Sequence, residues 1–280
     1  MKTKMEMLWK DGKRKALTFS YDDGTIHDRK LVALMNTYGM KGTFNLNSGL
    51  FGKTEQAVIN GIDTDFSRIS NEEAETLFAG HEVACHTLTH PSLTEIPMAM
   101  GRSEVLEDCR NLERLTGKKV TGFAYPYGTF NDKVEEMLDE CGISYARTVV
   151  STESFEVPQE FLEWHPTCHH ESPKLMELAG TFLEKDTDTA KLFYVWGHSY
   201  EFAQKDNWQV IEELFKLMQE HAQDIWFATN EEIASYVKAY RELQISSDGQ
   251  ILYNPSETDL WYGVGKETDC IRGGERRKLN

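Results

Sequence analysis

Apolar runs alternate with amphipathic segments along most of the chain. KALTFSY (15–21) reads as a strand, and from His27 to Tyr38 the period changes, placing Leu31, Leu34, Met35 and Tyr38 on one helical face that Gly39 closes. Together they make a strand-helix unit. KGTFNLN reads as the next strand, and SNEEAETLFAG (70–80) opens on a capping box of Ser70 with Glu73 and stops at Gly80. Further strands are predicted at 82–86, 120–125, 143–148, 161–167, 192–198 and 224–229, with helices at 103–116, 131–140, 173–184 and 207–222. In the last helix Val210, Ile211, Leu214, Leu217 and Met218 form the apolar stripe.

Strands that alternate with helices predict a parallel β/α architecture with active residues at the carboxyl ends of the strands. About eight strands suit an α/β barrel. After Arg241 the texture changes, with Asp-Gly and Asn-Pro turns between short β-prone runs and no helical period. The expected plan is a barrel over 1–242 and a small β-rich appendage over 243–280.

Composition narrows the function. With 280 residues, 40% hydrophobic and 27% charged, the chain has the make-up of an ordinary globular protein. A formal charge of -16 repels phosphate backbones, so nucleic acid is not an expected partner. The amino-terminal stretch has no apolar signal region and no run reaches membrane-spanning length, which predicts a cytoplasmic protein without a membrane partner. Five scattered cysteines predict free thiols, of which Cys85, Cys109 and Cys141 fall on apolar faces as core fillers. The sequence carries no signal of oligomeric state.

Candidate chemistry collects at predicted strand ends. Asp22 and Asp23 follow the first strand, and Gly24 allows a turn that brings both carboxylates to one pocket; alone, the pair reads rather as a solvated strand-end turn. His86 and His90, four apart at the end of a strand and the start of a helical turn, would share a face as half of a tetrahedral zinc site. With a strand-end carboxylate they make a set of two histidines and one carboxylate, leaving a position for water. His81 and His86 are five apart and do not form the zinc-protease pattern. HPTCHH, His165 to His170, reads as pocket lining or a polar strand end rather than a second metal site. In FAYPYG, Tyr125 and Tyr127 flank Pro126, either as an aromatic turn or as a source of a backbone N–H at Tyr127 aimed at an oxyanion. Trp196 and His198 share a face at a later strand end, where His198 is a general-acid candidate.

Taken in order, TFSYDDG, HTLTH, FAYPYG and WGHSYEF followed by DIWFATNEEI resemble the polysaccharide deacetylase family of metal-dependent carbohydrate esterases, across residues 15 to 238. The resemblance implies a deformed (β/α) barrel. It implies Asp22 as general base, Asp23, His86 and His90 as ligands of one divalent metal ion, Tyr127 as oxyanion donor through its N–H, and His198 as general acid. Zinc is the expected ion, with cobalt, nickel and iron also suited to that ligand set. Many members carry an arginine two residues before the proline of the third motif, where it orients the base; here that position is Ala124. The family's tryptophan and aspartate motif is not recognisable around EFLEWHPTCHH, so the acidic partner of His198 is unassigned, with Trp164 a partial stand-in. Tyr125, Pro126, Trp164 and Trp196 are expected to line the substrate pocket.

The implied activity is removal of an acetyl group from an N-acetylated or O-acetylated sugar, oligosaccharide or polysaccharide. A second reading is an amidohydrolase of the same superfamily acting on a small cyclic amide or imide, since the metal-water chemistry is the same. A third is a catalytically silent carbohydrate-binding barrel.

Overall fold

The computed structural model describes residues 5–59, 61–184 and 187–279. Eight strands form one sheet: β1 (Lys15–Asp22), β2 (Thr43–Leu46), β3 (Glu82–Cys85), β4 (Gly122–Ala124), β5 (Tyr145–Arg147), β6 (Cys168–His169), β7 (Lys191–Gly197) and β8 (Ile225–Phe227). Their order is β5-β4-β3-β2-β1-β7-β6, every pairing is parallel, and β8 shares with β2 the same edge of β1. The helices are α1 (Asp28–Tyr38), α2 (Asn71–Leu77), α3 (Met98–Thr116), α4 (Asp132–Glu140), α5 (Leu175–Glu184), α6 (Ser199–Lys205), α7 (Gln209–Glu220) and α8 (Asn230–Arg241). The expected α/β fold with a deformed barrel is the observed one.

Two positions explain the deformation. β8 pairs with Lys15 to Leu17 and β2 with Ser20 to Asp22, so the edge of β1 forks at Thr18. Asn230 fills the fork: its Oδ1 accepts from the Thr18 hydroxyl at 2.7 Å, its N–H donates to Thr43 Oγ1 at 2.9 Å, and its side-chain amide donates to the Tyr194 hydroxyl. At the other seam β5 and β6 do not pair. The strand expected at 161–167 is there a turn with one bridge, Trp164 to Arg147, because Pro166 has no N–H to continue a ladder.

Alternation in the strands sorts side chains into two cores. Leu17, Phe19, Tyr21, Phe44, Cys85, Phe123, Phe193 and Val195 pack beneath the helices. Ala16, Tyr145, Leu192 and Tyr194 instead join Trp9, Trp164 and α8 in a second cluster. Leu252, Leu260, Tyr262 and Ile271 of the tail complete it.

Beyond α8 the chain makes five short strands in two small antiparallel sheets, as the turn-rich texture predicted. Met5–Leu8, which showed no strand signal, pairs with Leu260–Val264 of the tail. The helices α6 and α8 and a hairpin of Gln56–Ile59 with Ile62–Asp65 also exceed the sequence reading. Among the described residues all five cysteines are free, and no helix is long and apolar enough to cross a membrane.

Candidate active site

Since Phe19, Tyr21, Phe44, Cys85 and Phe123 face the helices, the residues between and beside them face the barrel interior. At the carboxyl ends this places Asp22, Asn45, His86, Ala124, Arg147 and Trp196 in one layer. Asp23 follows Asp22 with φ 83°, and Gly24 with φ 62° continues the left-handed turn. Aspartate tolerates this region better than most residues. The turn brings two successive carboxylates together, and His198 Nε2 lies 3.8 Å from Asp22 Oδ2 and 3.9 Å from Asp23 Oδ2.

His86 and His90 also meet, though not by the helical spacing expected. No helix starts at His86; Thr87 (φ 67°) and His90 (φ 63°) turn the chain through left-handed backbone instead. Their Nε2 atoms approach to 3.1 Å, and His90 Nε2 lies 3.7 Å from Asp23 Oδ1. The backbone N–H of His86 donates to Asp108 Oδ2 at 3.1 Å while Asp108 Oδ1 accepts from the Ser48 N–H at 2.7 Å, which fixes the loop after β3.

Protonation divides this cluster. Burial pushes the Asp22 pKa up, but the Arg147 guanidinium and the nearby imidazoles outweigh it and hold the carboxyl below its ordinary value. Asp23 follows the same balance, with Arg68 as its main counter-charge at 3.1 Å. Burial lowers His86 to about 4 and lowers His90 as well, so both imidazoles are neutral near pH 7. His198 goes the other way: burial would neutralise it, but the contact with Glu201 and the charges of Asp23 and Asp22 lift it to about 9. The acidic partner missing from the sequence reading is therefore Glu201, in the first turn of α6. Its Oε2 lies 3.2 Å from His198 Nδ1 and accepts the His198 N–H at 2.9 Å.

The aromatic candidates separate. Tyr127, at φ 59°, is 68% exposed, and its ring lies 4.6 Å from that of His90. Trp196 borders the site, 5.7 Å from the His198 ring. Tyr125 does not line a pocket: it is buried, donates its hydroxyl to Leu162 O at 2.9 Å and stacks on Phe130. Pro126 is likewise buried beneath the turn. Trp164 is also core, packed edge-on against Tyr145, Phe161 and Tyr194, because the turn that replaces the expected strand carries it inward. His165 accepts or donates at 2.6 Å to the Thr148 hydroxyl, whereas His169 and His170 each lie 3.3 Å from Glu201 Oε2.

Sequence reasoning missed Arg147, Arg68, Asn45 and Glu201. Asn45 Nδ2 donates to Asp22 Oδ1 at 2.8 Å, and Arg147 donates to Asp22 Oδ2. The available signal was parity: Asn45 and Arg147 occupy inward positions of apolar strands, where a polar residue requires a partner.

The residues present suit a divalent cation. One ligand atom each from Asp23, His86 and His90 lie within 4.8 Å of one another. His86 Nδ1 is 2.8 Å from the Ala124 carbonyl, which takes the ring N–H and leaves Nε2 as the free donor atom. Among the described residues Asp23 Oδ1 is buried without a hydrogen-bond donor, since Arg68 approaches at ion-pair distance only. Two further groups, His169 with His198 and Glu201, and His170 with Glu171 and Glu201, meet the same distance limit.

Carboxylates and imidazoles gathered at the strand ends of an α/β barrel can hold a metal ion and place an acid and a base beside it. Residues 10–146 match the family model of the polysaccharide deacetylases, the family that the motifs of this chain resemble. A crystal structure of a Mycobacterium smegmatis protein assigned to the polysaccharide deacetylases is similar, with TM-score 0.62 and 17% identity over 84% of this chain and 94% of that one. The Xyl-CE4 domain of a multidomain xylanase from the hindgut metagenome of Trinervitermes trinervoides gives TM-score 0.52 and 17% identity, covering 81% and 92%. A CE4-family pseudoenzyme from Bacillus anthracis gives TM-score 0.51 and 17% identity, covering 79% and 66%. At these identities the likeness is one of fold. A comparison with curated proteins found no match.

Proposed function

We propose that the protein is a metal-dependent hydrolase that removes the acetyl group from an N-acetylated sugar or oligosaccharide. The observation that carries the reading is the geometry of one cluster: Asp22, held by Asn45 and Arg147, and His198, 3.2 Å from Glu201, stand 3.8 Å apart beside a set of Asp23, His86 and His90 that can take a cation. A general base and a general acid must hold opposite protonation states at the same pH, and this arrangement supplies them.

Asp23, His86 and His90 would hold a divalent ion, which would supply Lewis acidity for the hydrolysis. Asp22, pinned through both oxygens, accepts the proton of the attacking water. The backbone N–H of Tyr127 is assigned as the donor to the oxyanion of the tetrahedral intermediate. His198 then donates its Nε2 proton to the departing amine nitrogen, while the Glu201 carboxylate, at ion-pair distance from Nδ1, favours the charged ring. The exposed Tyr127 ring, with Val149 and Val150 also exposed beyond β5, offers an apolar rim suited to a sugar face.

The test is acetate release from a panel of N-acetylated and O-acetylated sugars with added zinc or cobalt, run beside ring-opening of small cyclic amides. Release from N-acetyl sugars is expected. Ring-opening alone would replace the reading with the amidohydrolase one, and tight sugar binding without turnover would replace it with a silent binding barrel.

A further inference from the structure

Ala124 and Arg147 are directly paired residues of β4 and β5, and both belong to the interior layer that carries Asp22. Alanine fills little of its share of that layer, and the long side chain from the neighbouring strand reaches across. Arg147 is 0% exposed. Its guanidinium donates through Nη2 to Asp22 Oδ2 and through Nη1 to Thr148 O at 3.2 Å, and it lies 4.3 Å from the ring centroid of Trp196. The other oxygen of Asp22 is taken by Asn45.

We propose that Arg147 is the positioning residue of the catalytic base, supplied across the strand pair from the position beside Ala124. The inference rests on the reading of Asp22 as base. A carboxylate at a strand end can rotate about its side-chain bonds, and two donors on different oxygens remove that freedom. The planar fork of arginine fixes direction as well as charge, which a lysine ammonium does not. The face of Trp196 fixes the fork in turn. Trp196 stands in β7 two residues before His198, which directly follows the strand, so the base and the acid are aligned from one anchor. Arg147 touches neither water nor substrate in this scheme and acts through Asp22.

The test uses Arg147→Met and Arg147→Lys, each alone and combined with Asp22→Asn, with kcat, KM, metal content and crystal structures measured. Arg147→Met is expected to lower kcat by about 10²-fold with KM and metal content nearly unchanged, as loss of a group that supports only the transition state does. Arg147→Lys should restore part of that loss. In the Asp22→Asn background the Arg147 changes should cost at most about twofold more, because residues acting as a unit are not additive. Undiminished kcat, or the full loss repeated in the Asp22→Asn background, overturns the proposal. If the wild-type protein hydrolyses no acetylated compound, the base assignment itself has failed, and the crystal structures then decide the positioning separately. A displaced Asp22 carboxylate upholds it and an unmoved one overturns it. Should Arg147→Met not fold, Arg147→Lys and its Asp22→Asn double variant carry the same comparison.

Discussion

At the scale of single residues, the site is a set of charges held in unlike states by unlike neighbours. Asp22→Asn keeps the shape and the ligand set, so metal content should stay at the wild-type level while kcat falls by about 10²–10⁴-fold, the usual contribution of a general base. His86→Ala or His90→Ala should instead abolish metal binding, which elemental analysis reads without any substrate. Glu201→Gln tests the acid. Glu201, together with Asp23 and Asp22, raises the His198 pKa to about 9 against the effect of burial, so with the Glu201 charge gone the pKa falls and the alkaline limb of the pH–rate profile should move to lower pH. An unmoved limb would remove His198 from the role. That Asp22, Asp23, His86, His90 and His198 would meet was legible because each stands at or just beyond the end of a recognisable strand. Arg147, Arg68 and Glu201 were not, because their meaning lies in what stands opposite them. Arginine 125 positions after Asp22 becomes its partner only once four strand pairings are made.

At the scale of elements, most strands and helices followed from periodicity, and the exceptions share a cause. The predicted strand at 161–167 has the right residues but meets β5 at a single bridge, since Pro166 has no N–H to extend it, and pattern alone does not report how far a pairing runs. α6 is a seven-residue helix whose start is set by the Glu201 side chain on the His198 N–H, a device that serves cap and site together. Gly197, at the end of β7, shows how closely the adjoining element fits. A Cβ there would meet His170 Nδ1 at 2.1 Å, and His170 is buried with its ring stacked 4.0 Å from Phe202. Gly197→Ala should therefore cost about 1–3 kcal/mol, the range for overpacking a filled core, and should also lower kcat by moving His198. Thermal denaturation and steady-state kinetics on the same variant check both; an unchanged Tm would show that the His170 ring has room to turn.

At the scale of the whole molecule, the barrel and the tail are joined more closely than the change of texture after Arg241 suggested. Leu252, Leu260, Tyr262 and Ile271 share one core with Trp9, Tyr236 and Val237, and the Tyr236 hydroxyl donates to Leu8 O at 2.7 Å. Fully burying each large apolar side chain is worth about 1.5–3 kcal/mol, and a folded domain has only about 5–15 kcal/mol in hand. A chain ending at residue 242 should accordingly lose cooperative unfolding or solubility, as measured by calorimetry and sedimentation; an undisturbed transition would mark the tail as an independent module. The pairing of Met5–Leu8 with Leu260–Val264 also has a meaning in time. A ribosome releases the first of these strands long before it makes the second, so the early strand must wait, unpaired, through the synthesis of the whole barrel. Closing that sheet therefore cannot begin until residues 260–264 have been made.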